Sequence, residues 1–278
     1  MKTLLTVAGA CATMIAAAGA VALPVYQSGF ESNEGFAAGA FPTNLPNWTV
    51  ENPPVNVVSG SGAQASSQFV QLGSGAILDF SLTAQETSRA GKTVWVEGYF
   101  RGAGSSVTLA NANYPVTEAS AIVHFGQTNG IEVWDGTKAA GAEPTSLGIS
   151  LVSNNWYKVT LQLDFDAKSW EIWVNNTKRN TAPLGFRDST VNGLNGFKNL
   201  AQGGADFDGF RIVRRFLGDS NGDGALDAAD LVRIIEYIAN APTADPIAMG
   251  NSNLVGSTST IDAADLSALK ALLLDIGT

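Results

Sequence analysis

The sequence predicts a mainly β chain, a sandwich or jelly roll, followed by a small all-helical unit. Three observations carry that expectation. Thirty Gly, thirteen Phe and six Trp suit a body of strands and turns. From about Val25 to Val213 apolar residues fall in short alternating runs separated by Gly, Asn, Pro and Ser clusters. After Gly218 the apolar period changes from two to that of a helix. With 278 residues there is chain enough for two domains. Hydrophobic content of 45% against 15% charged residues excludes a disordered acidic chain.

The first 22 residues read as a secretory signal. Met1-Lys2 is a short basic start, Leu4 to Ala22 is an unbroken run of small and apolar residues, and Ala18-Gly19-Ala20 and Ala20-Val21-Ala22 both suit signal peptidase. Pro24 follows with no basic stop-transfer cluster, which argues against a retained membrane span. Cys11, after Ala8-Gly9-Ala10, is a competing lipidation site, but the apolar run continues well beyond it. The mature chain is then exported or at the cell surface, and it carries no cysteine. A formal charge of −9, from 16 Lys+Arg against 25 Asp+Glu, lacks the basic footprint that nucleic acid requires.

Residues 23–215 form the expected β body. Tyr157, Val159, Leu161, Leu163 and Phe165 alternate with Trp156, Lys158, Thr160, Gln162 and Asp164, the period of a strand with one buried face. Asp166-Ala167-Lys168 turns the chain, and Trp170, Ile172 and Val174 continue the pattern, so the pair predicts a hairpin. Similar runs stand at Val94–Phe100, Ala121–Phe125, Gly130–Trp134 and Asp208–Val213, with no helix expected between them.

Residues 216–278 read differently. Leu231, Ile234, Ile235 and Ile238 lie at i, i+3, i+4 and i+7, one face of a helix, and Leu266, Leu269, Leu273 and Ile276 do the same. Ala225-Leu226-Asp227-Ala228-Ala229-Asp230-Leu231 recurs as Thr260-Ile261-Asp262-Ala263-Ala264-Asp265-Leu266, 35 residues on. Two loop–helix units sharing one core are expected. Between Asp219 and Asp230, oxygen side chains stand at loop positions 1, 3, 5, 9 and 12: Asp219, Asn221, Asp223, Asp227 and Asp230. Gly224 occupies the sharp turn and Ala225 offers its carbonyl. Such an all-oxygen ring suits calcium better than magnesium, which is smaller and keeps its water. The carboxylates repel one another without the ion, so calcium binding is expected to contribute to folding.

Gly218-Asp219-x-Asn221-Gly222-Asp223-Gly224 followed by Leu226-Asp227-x-x-Asp230-Leu231, with its duplicate, resembles the type I dockerin repeat. The resemblance implies a duplicated EF-hand-like domain, calcium-dependent folding, a cohesin-type protein partner and a link to polysaccharide breakdown. The second repeat departs from the pattern. Three residues are inserted between Gly250 and Ile261 and the acidic residue at position 5 is missing. Asn251, Asn253, Asp262 and Asp265 remain as ligands of a second, weaker site. The positions that often contact cohesin in that family are Ala228-Ala229 and Ala263-Ala264 here, so calcium binding is the stronger inference.

The order Phe30-Glu31-Ser32-Asn33-Glu34-Gly35-Phe36, the Trp48 strand, the late hairpin and the closing Asp206-Phe207-Asp208-Gly209-Phe210 is similar to laminin-G-like, concanavalin A-like jelly rolls of exported bacterial proteins. Glucanases of that architecture place carboxylates as Glu-x-Asp-x-x-Glu, and no such run exists here. Glu171 is followed by Asn175 and Asn176 where a second carboxylate belongs, Glu132 and Asp135 are expected on opposite strand faces, and His124 reads as a strand residue. Binding is therefore the better class. Trp134, Trp156 and Trp173, flanked by Asn154, Asn155, Asn175 and Asn176, are the expected sugar-stacking set. Asp206 and Asp208 could take a cation, although paired Asp at a strand start are more often solvated. A polysaccharide-active glycoside hydrolase carried by its dockerin and a non-catalytic structural surface protein are the alternatives.

Overall fold

The computed structural model describes residues 25–63, 66–102, 119–136, 144–201, 203–220, 226–240, 245–255 and 261–276. The expected signal at 1–22 and the loop ligands Asn221, Asp223 and Ala225 lie outside these residues. The chain begins with β1 (Tyr26–Ser28), a 3-10 turn (Ser32–Glu34), β2 (Gly39–Ala40), β3 (Trp48–Asn52), β4 (Val55–Ser59), β5 (Gln68–Leu72) and β6 (Ala76–Ser81). Helix α1 (Ala84–Ala90) precedes β7 (Thr93–Arg101), β8 (Val123–Gly126), β9 (Gly130–Val133) and β10 (Thr145–Ser146). The expected hairpin is β11 (Trp156–Asp164) and β12 (Ser169–Val174), followed by β13 (Thr177–Lys178), β14 (Leu184–Gly185), β15 (Gly196–Ala201) and β16 (Ala205–Arg214). The described residues after β16 form α2 (Ala228–Asn240), α3 (Pro246–Ser252) and α4 (Ala263–Ile276).

Every strand pairing among the described residues is antiparallel. The large sheet runs β13-β12-β11-β7-β16-β5-β4-β2, with β1 on β16 and β14 on β12, and two smaller sheets are β15-β6-β3 and β10-β9-β8. Alternation sorts the large sheet's side chains. Val94, Val96, Val159, Leu163, Ile172, Val174 and Ile212 turn inward to one core, which the smaller sheets close with Trp48, Leu78, Phe80, Ile131 and Val133. Its aromatic centre joins Trp48, Phe80, Phe207 and Phe210, with ring centroids 4.8–5.6 Å apart for Trp48–Phe80, Trp48–Phe210, Phe80–Phe210 and Phe207–Phe210.

Helix α1 corrects the expectation of an unbroken run of strands. Its start is a capping box in which the Thr83 hydroxyl accepts from Glu86 N–H and the Glu86 carboxylate accepts from Thr83 N–H at 2.7 Å. That Thr-x-x-Glu signal was present in the sequence.

The helical unit has its own small core of Ile234, Ile261 and Leu269, with Leu226, Leu231, Tyr237, Leu266 and Leu273 packed around it. The expected α2 face is narrower than its spacing suggested. Ile235 and Ile238 are exposed, because α4 packs against the Leu231–Ile234 side of α2. The side chain of Ile276 lies outside the described ones. The duplication is visible in the bonding. Asp227 Oδ1 accepts from Ala229 N–H at 2.7 Å, as Asp262 Oδ1 does from Ala264. Asp230 Oδ2 accepts from Asp227 N–H at 2.9 Å, as Asp265 Oδ2 does from Asp262.

Candidate functional site

The side chains on the outer face of the large sheet are Trp95, Glu97, Tyr99 and Arg101 on β7, Trp156, Lys158 and Thr160 on β11, Trp173 on β12, and Asp206, Asp208, Arg211 and Val213 on β16. The cross-strand pairs Thr160↔Glu97, Lys158↔Tyr99 and Trp156↔Arg101 fix this order. One end of the face is covered. Ile247 of α3 packs with Trp95, Val213 and Trp173, and Gly250 lies flat on the Trp95 ring, where a Cβ would overlap the indole. Beside this contact is a charge network. Glu97 accepts from Thr160 Oγ1 at 2.7 Å and Arg211 Nε at 3.0 Å, with Lys158 Nζ at 2.9 Å. Asp245, the N-cap of α3, accepts from Arg211 Nη2 at 2.9 Å and Lys158 Nζ at 3.3 Å. Burial pushes the Asp245 carboxyl up, but Arg211 and Lys158 outweigh it and hold the group below its ordinary value.

The other end of the face is open. A cavity of about 310 Å³ is lined by Asn56, Gln71, Arg101, Asp206 and neighbouring backbone. The Arg101 guanidinium lies over Phe69 at 4.6 Å and Trp156 at 4.4 Å from the ring centroids, and its Nε donates to Asp206 at 2.8 Å. Two aromatic faces and a carboxylate thus hold a planar fork of donors in one orientation. Gln71 Nε2 reaches Asp206 at 3.4 Å. The arrangement presents donors and acceptors that match vicinal hydroxyl groups.

The expected sugar platform is not assembled from the tryptophans. Trp134 is 1% exposed, under the Arg187 guanidinium at 5.2 Å, so neither ring face meets solvent. Trp173 packs on Trp95 at 5.3 Å beneath the helical unit. Trp156 does reach the open end, but Arg101 occupies its face. Asn175 and Asn176 form the two-residue turn after β12, with φ of 50° and 62°, and Asn175 Oδ1 accepts from Lys158 N–H at 3.0 Å. His124 is buried in the β8–β9 hairpin, its Nδ1 2.9 Å from Glu132 Oε2. Arg101 and Gln71 escaped sequence reading, and Asp206 was noted there only as a candidate cation ligand, because the three come from strands remote in the chain. The alternation Trp95-Glu97-Tyr99-Arg101 opposite Val94 and Val96 was the available signal.

A second, adjoining cavity of about 440 Å³ is lined by Gly29, Glu31, Ala63, Ser66, Ser67, Tyr99, Asp208 and Gly209. A β-bulge between Asp208 and Arg211, made at Gly209 with φ of 55°, turns Phe207 and Phe210 both inward and leaves Asp208 beneath Ala63, whose N–H donates to it at 2.7 Å. Asp208 is therefore fully buried, not solvated, and desolvation raises its pKa to about 6. Asp206 is the half-buried partner of Arg101.

In the helical unit, Asp219 and Asp230 are buried, and Asp230 Oδ1 accepts from Ser220 N–H at 2.7 Å. Asp219, Asp227 and Asp230 carry oxygen donors of the kind calcium takes, and residues 221–225 between them lie outside the described ones. Among the described residues no group of three or more His, Cys, Asp or Glu side chains is arranged to hold a metal. In the second repeat Asp262 and Asp265 meet at the start of α4, and Asp265 Oδ1 accepts from Leu254 and Val255 N–H at 2.8 and 2.9 Å. Asn251 stands in α3 instead of a loop. Its carbonyl accepts from Gly218 N–H at 2.8 Å and its Oδ1 from Trp95 Nε1 at 3.3 Å. Asn253 caps the same helix.

Fold and face together define an antiparallel β-sandwich with a helical unit seated on one end of its larger sheet. No protein-family model matches the chain, and no curated protein matches it. Among solved structures it is similar to a sialidase, over 77% of this chain and 21% of that one, at 10% identity and TM-score 0.44. It is also similar to domain 4 of AbnA, a GH43 extracellular arabinanase from Geobacillus stearothermophilus in complex with arabinotriose, over 68% of this chain and 91% of that one (11% identity, TM-score 0.44). A third is the binding domain of Paraclostridial Mosquitocidal Protein 1, over 72% and 51% (13% identity, TM-score 0.47). The chain thus spans about a fifth of the sialidase's length. No helix among the described residues is long and apolar enough to cross a membrane.

Proposed function

We propose that this is an exported carbohydrate-binding protein whose sugar site is the open end of the outer face, with a calcium-folded, dockerin-like unit at its C-terminus. The observation that carries the reading is the Arg101 guanidinium clamped by Phe69, Trp156 and Asp206 beside Gln71 and Asn56. A charged donor fixed in this way binds a hydroxyl pair without paying the ordering entropy of a free arginine. The signal pattern at residues 1–22 supports export, and the Asp219–Asp230 loop with its 35-residue repeat supports calcium binding. The exposed Val232, Ile235 and Ile238 give α2 an apolar surface suited to a protein partner of the cohesin type.

Affinity electrophoresis of the full chain on a panel of glucans, galactans and alginates tests the sugar site. Arg101→Ala and Gln71→Ala are expected to weaken binding about 10-fold or more, the worth of a charge-assisted hydrogen bond, with circular dichroism unchanged. Equal retention of the variants and the parent on every polymer rejects the site. Turnover of any polymer moves the reading to the hydrolase.

A further inference from the structure

In the adjoining cavity Ala63 and Gly209 N–H donate to the Asp208 carboxylate, and Ser67 N–H, Ser67 Oγ and Gln68 N–H donate to that of Glu31, but Ser66 faces more acceptors than it has protons. Ser66 Oγ lies 2.7 Å from Glu31 Oε1 and 2.5 Å from the Gln68 carbonyl oxygen, and it is also within bonding reach of Asp208. A hydroxyl has one proton. It satisfies one of these three acceptors, and the other contacts bring oxygen against oxygen. The convergence is tight. At the position a Cβ on Gly62 would take, Asp208 Oδ2 and Ser66 Oγ are both 2.6 Å away and the Gln68 carbonyl oxygen is 2.7 Å away. Asp208 is completely buried, and among the described residues no Lys, Arg or His forms a salt bridge with it or with Glu31.

An independent observation points to a ligand at the same place. Tyr99 is 7% exposed, stands directly across from Asp208 in the β7–β16 pairing and lines this cavity, yet its phenol oxygen has no hydrogen-bond partner among the described residues. A buried polar atom left unpaired costs about 1–3 kcal/mol unless something fills the space beside it.

We propose that this cavity is a calcium site, separate from the C-terminal loops, whose ligands are Asp208, Glu31, Ser66 Oγ and the Gln68 carbonyl oxygen, with Tyr99 beside it. The donors are all oxygen, which selects a hard cation, and two carboxylates neutralise one divalent charge. Calcium tolerates such a mixed set of carboxylate, hydroxyl, carbonyl and water at irregular angles, whereas magnesium demands an octahedron. The ion joins three parts of the chain that are remote in sequence: the turn after β1, the segment at Ser66–Gln68 and the bulge of β16. It thereby stiffens the rim next to the Arg101 groove, and it does so whether or not that groove binds sugar.

Calorimetric titration of the chelated full chain with calcium chloride tests the proposal. Glu31→Gln alters a partly exposed side chain and Ser66→Ala removes one oxygen, so both are expected to fold. Each is expected to lose one bound calcium per chain or to weaken it about 10-fold or more, while the binding removed by Asp219→Ala remains. Conversely, Asp219→Ala is expected to keep the event that Glu31→Gln removes. Asp208→Asn should act like Glu31→Gln, and if it fails to fold the first two variants decide alone. Unchanged calcium stoichiometry and affinity in Glu31→Gln and Ser66→Ala overturn the site.

Discussion

At Gly250 the α3 backbone lies directly on the indole of Trp95, leaving no room for a methyl group. Gly250→Ala must therefore push the helix off the sheet or rotate the ring, an overpacking cost of about 1–3 kcal/mol. Denaturant unfolding of the full chain should show that loss, with a red shift in tryptophan emission; a variant as stable as the parent would mean that α3 is not seated there. Asp208 shows the same dependence on neighbours. Its sequence context, Asp-Phe-Asp-Gly, reads as a solvated strand start, yet the side chain is fully buried because Ala63, brought from 145 positions away, donates its N–H to Oδ2 at 2.7 Å. A local pattern reports alternation but not which distant loop covers a face.

Among the elements, α3 matters most for how the two parts meet. Pro246 at its first turn and Asp245 as N-cap start the helix, and the same Asp245 carboxylate reaches Arg211 and Lys158 on the sheet. Since its folded pKa lies below the ordinary 3.8, this contact stabilises fully above about pH 4 and is lost as pH falls through the lower folded value. Glu97, Lys158, Arg211 and Tyr99 are the other charged or titratable groups facing it from β7, β11 and β16. Acidification below about pH 4 is expected to loosen the α3 seam, read from Trp95 and Trp173 fluorescence. Asp245→Asn should remove that acid step and cost about 1–3 kcal/mol at pH 7, less than a fully buried pair because Asp245 keeps 25% of its side-chain exposure. An identical acid profile in the variant would place the transition elsewhere. The β11–β12 hairpin was legible because its period of two extends through both strands. Helix α3 was not, because seven residues containing Pro and Gly carry too short a pattern to distinguish a helix from a turn.

For the whole molecule, the helical unit is not suspended on a linker. Its α3 shares Trp95, Val213 and a four-residue charge network with the sheet, while Asn251 connects the backbone before the Asp219 loop to the Trp95 ring. Order in the Asp219–Asp230 segment is thus coupled to the seam. Asp219→Ala and Asp230→Ala are expected to abolish the main C-terminal site and to raise hydrogen exchange across residues 218–240, with a smaller rise in α3. Full protection of that segment under exhaustive chelation would show that the loop folds without its ion. The exposed Ile235 and Ile238 follow from the same size argument: two short helices cannot cover all of each other's apolar surface.

Sequence alone determined the mainly β body, the two strands and turn of the late hairpin, the change to helices after Gly218 and the repeated Asp227/Asp230 and Asp262/Asp265 pairs. Each of these is written in local periodicity or in one short loop, where neighbouring residues set the backbone. Only the tertiary structure decided that Trp134 and Trp173 are covered, that Arg101 occupies the face of Trp156, and that buried Asp208 lines the same cavity as Glu31 and Ser66. Those outcomes depend on which strands become neighbours in the sheet and which unit covers its outer face. They are long-range choices fixed by the total burial of the fold, which no window of adjacent residues contains.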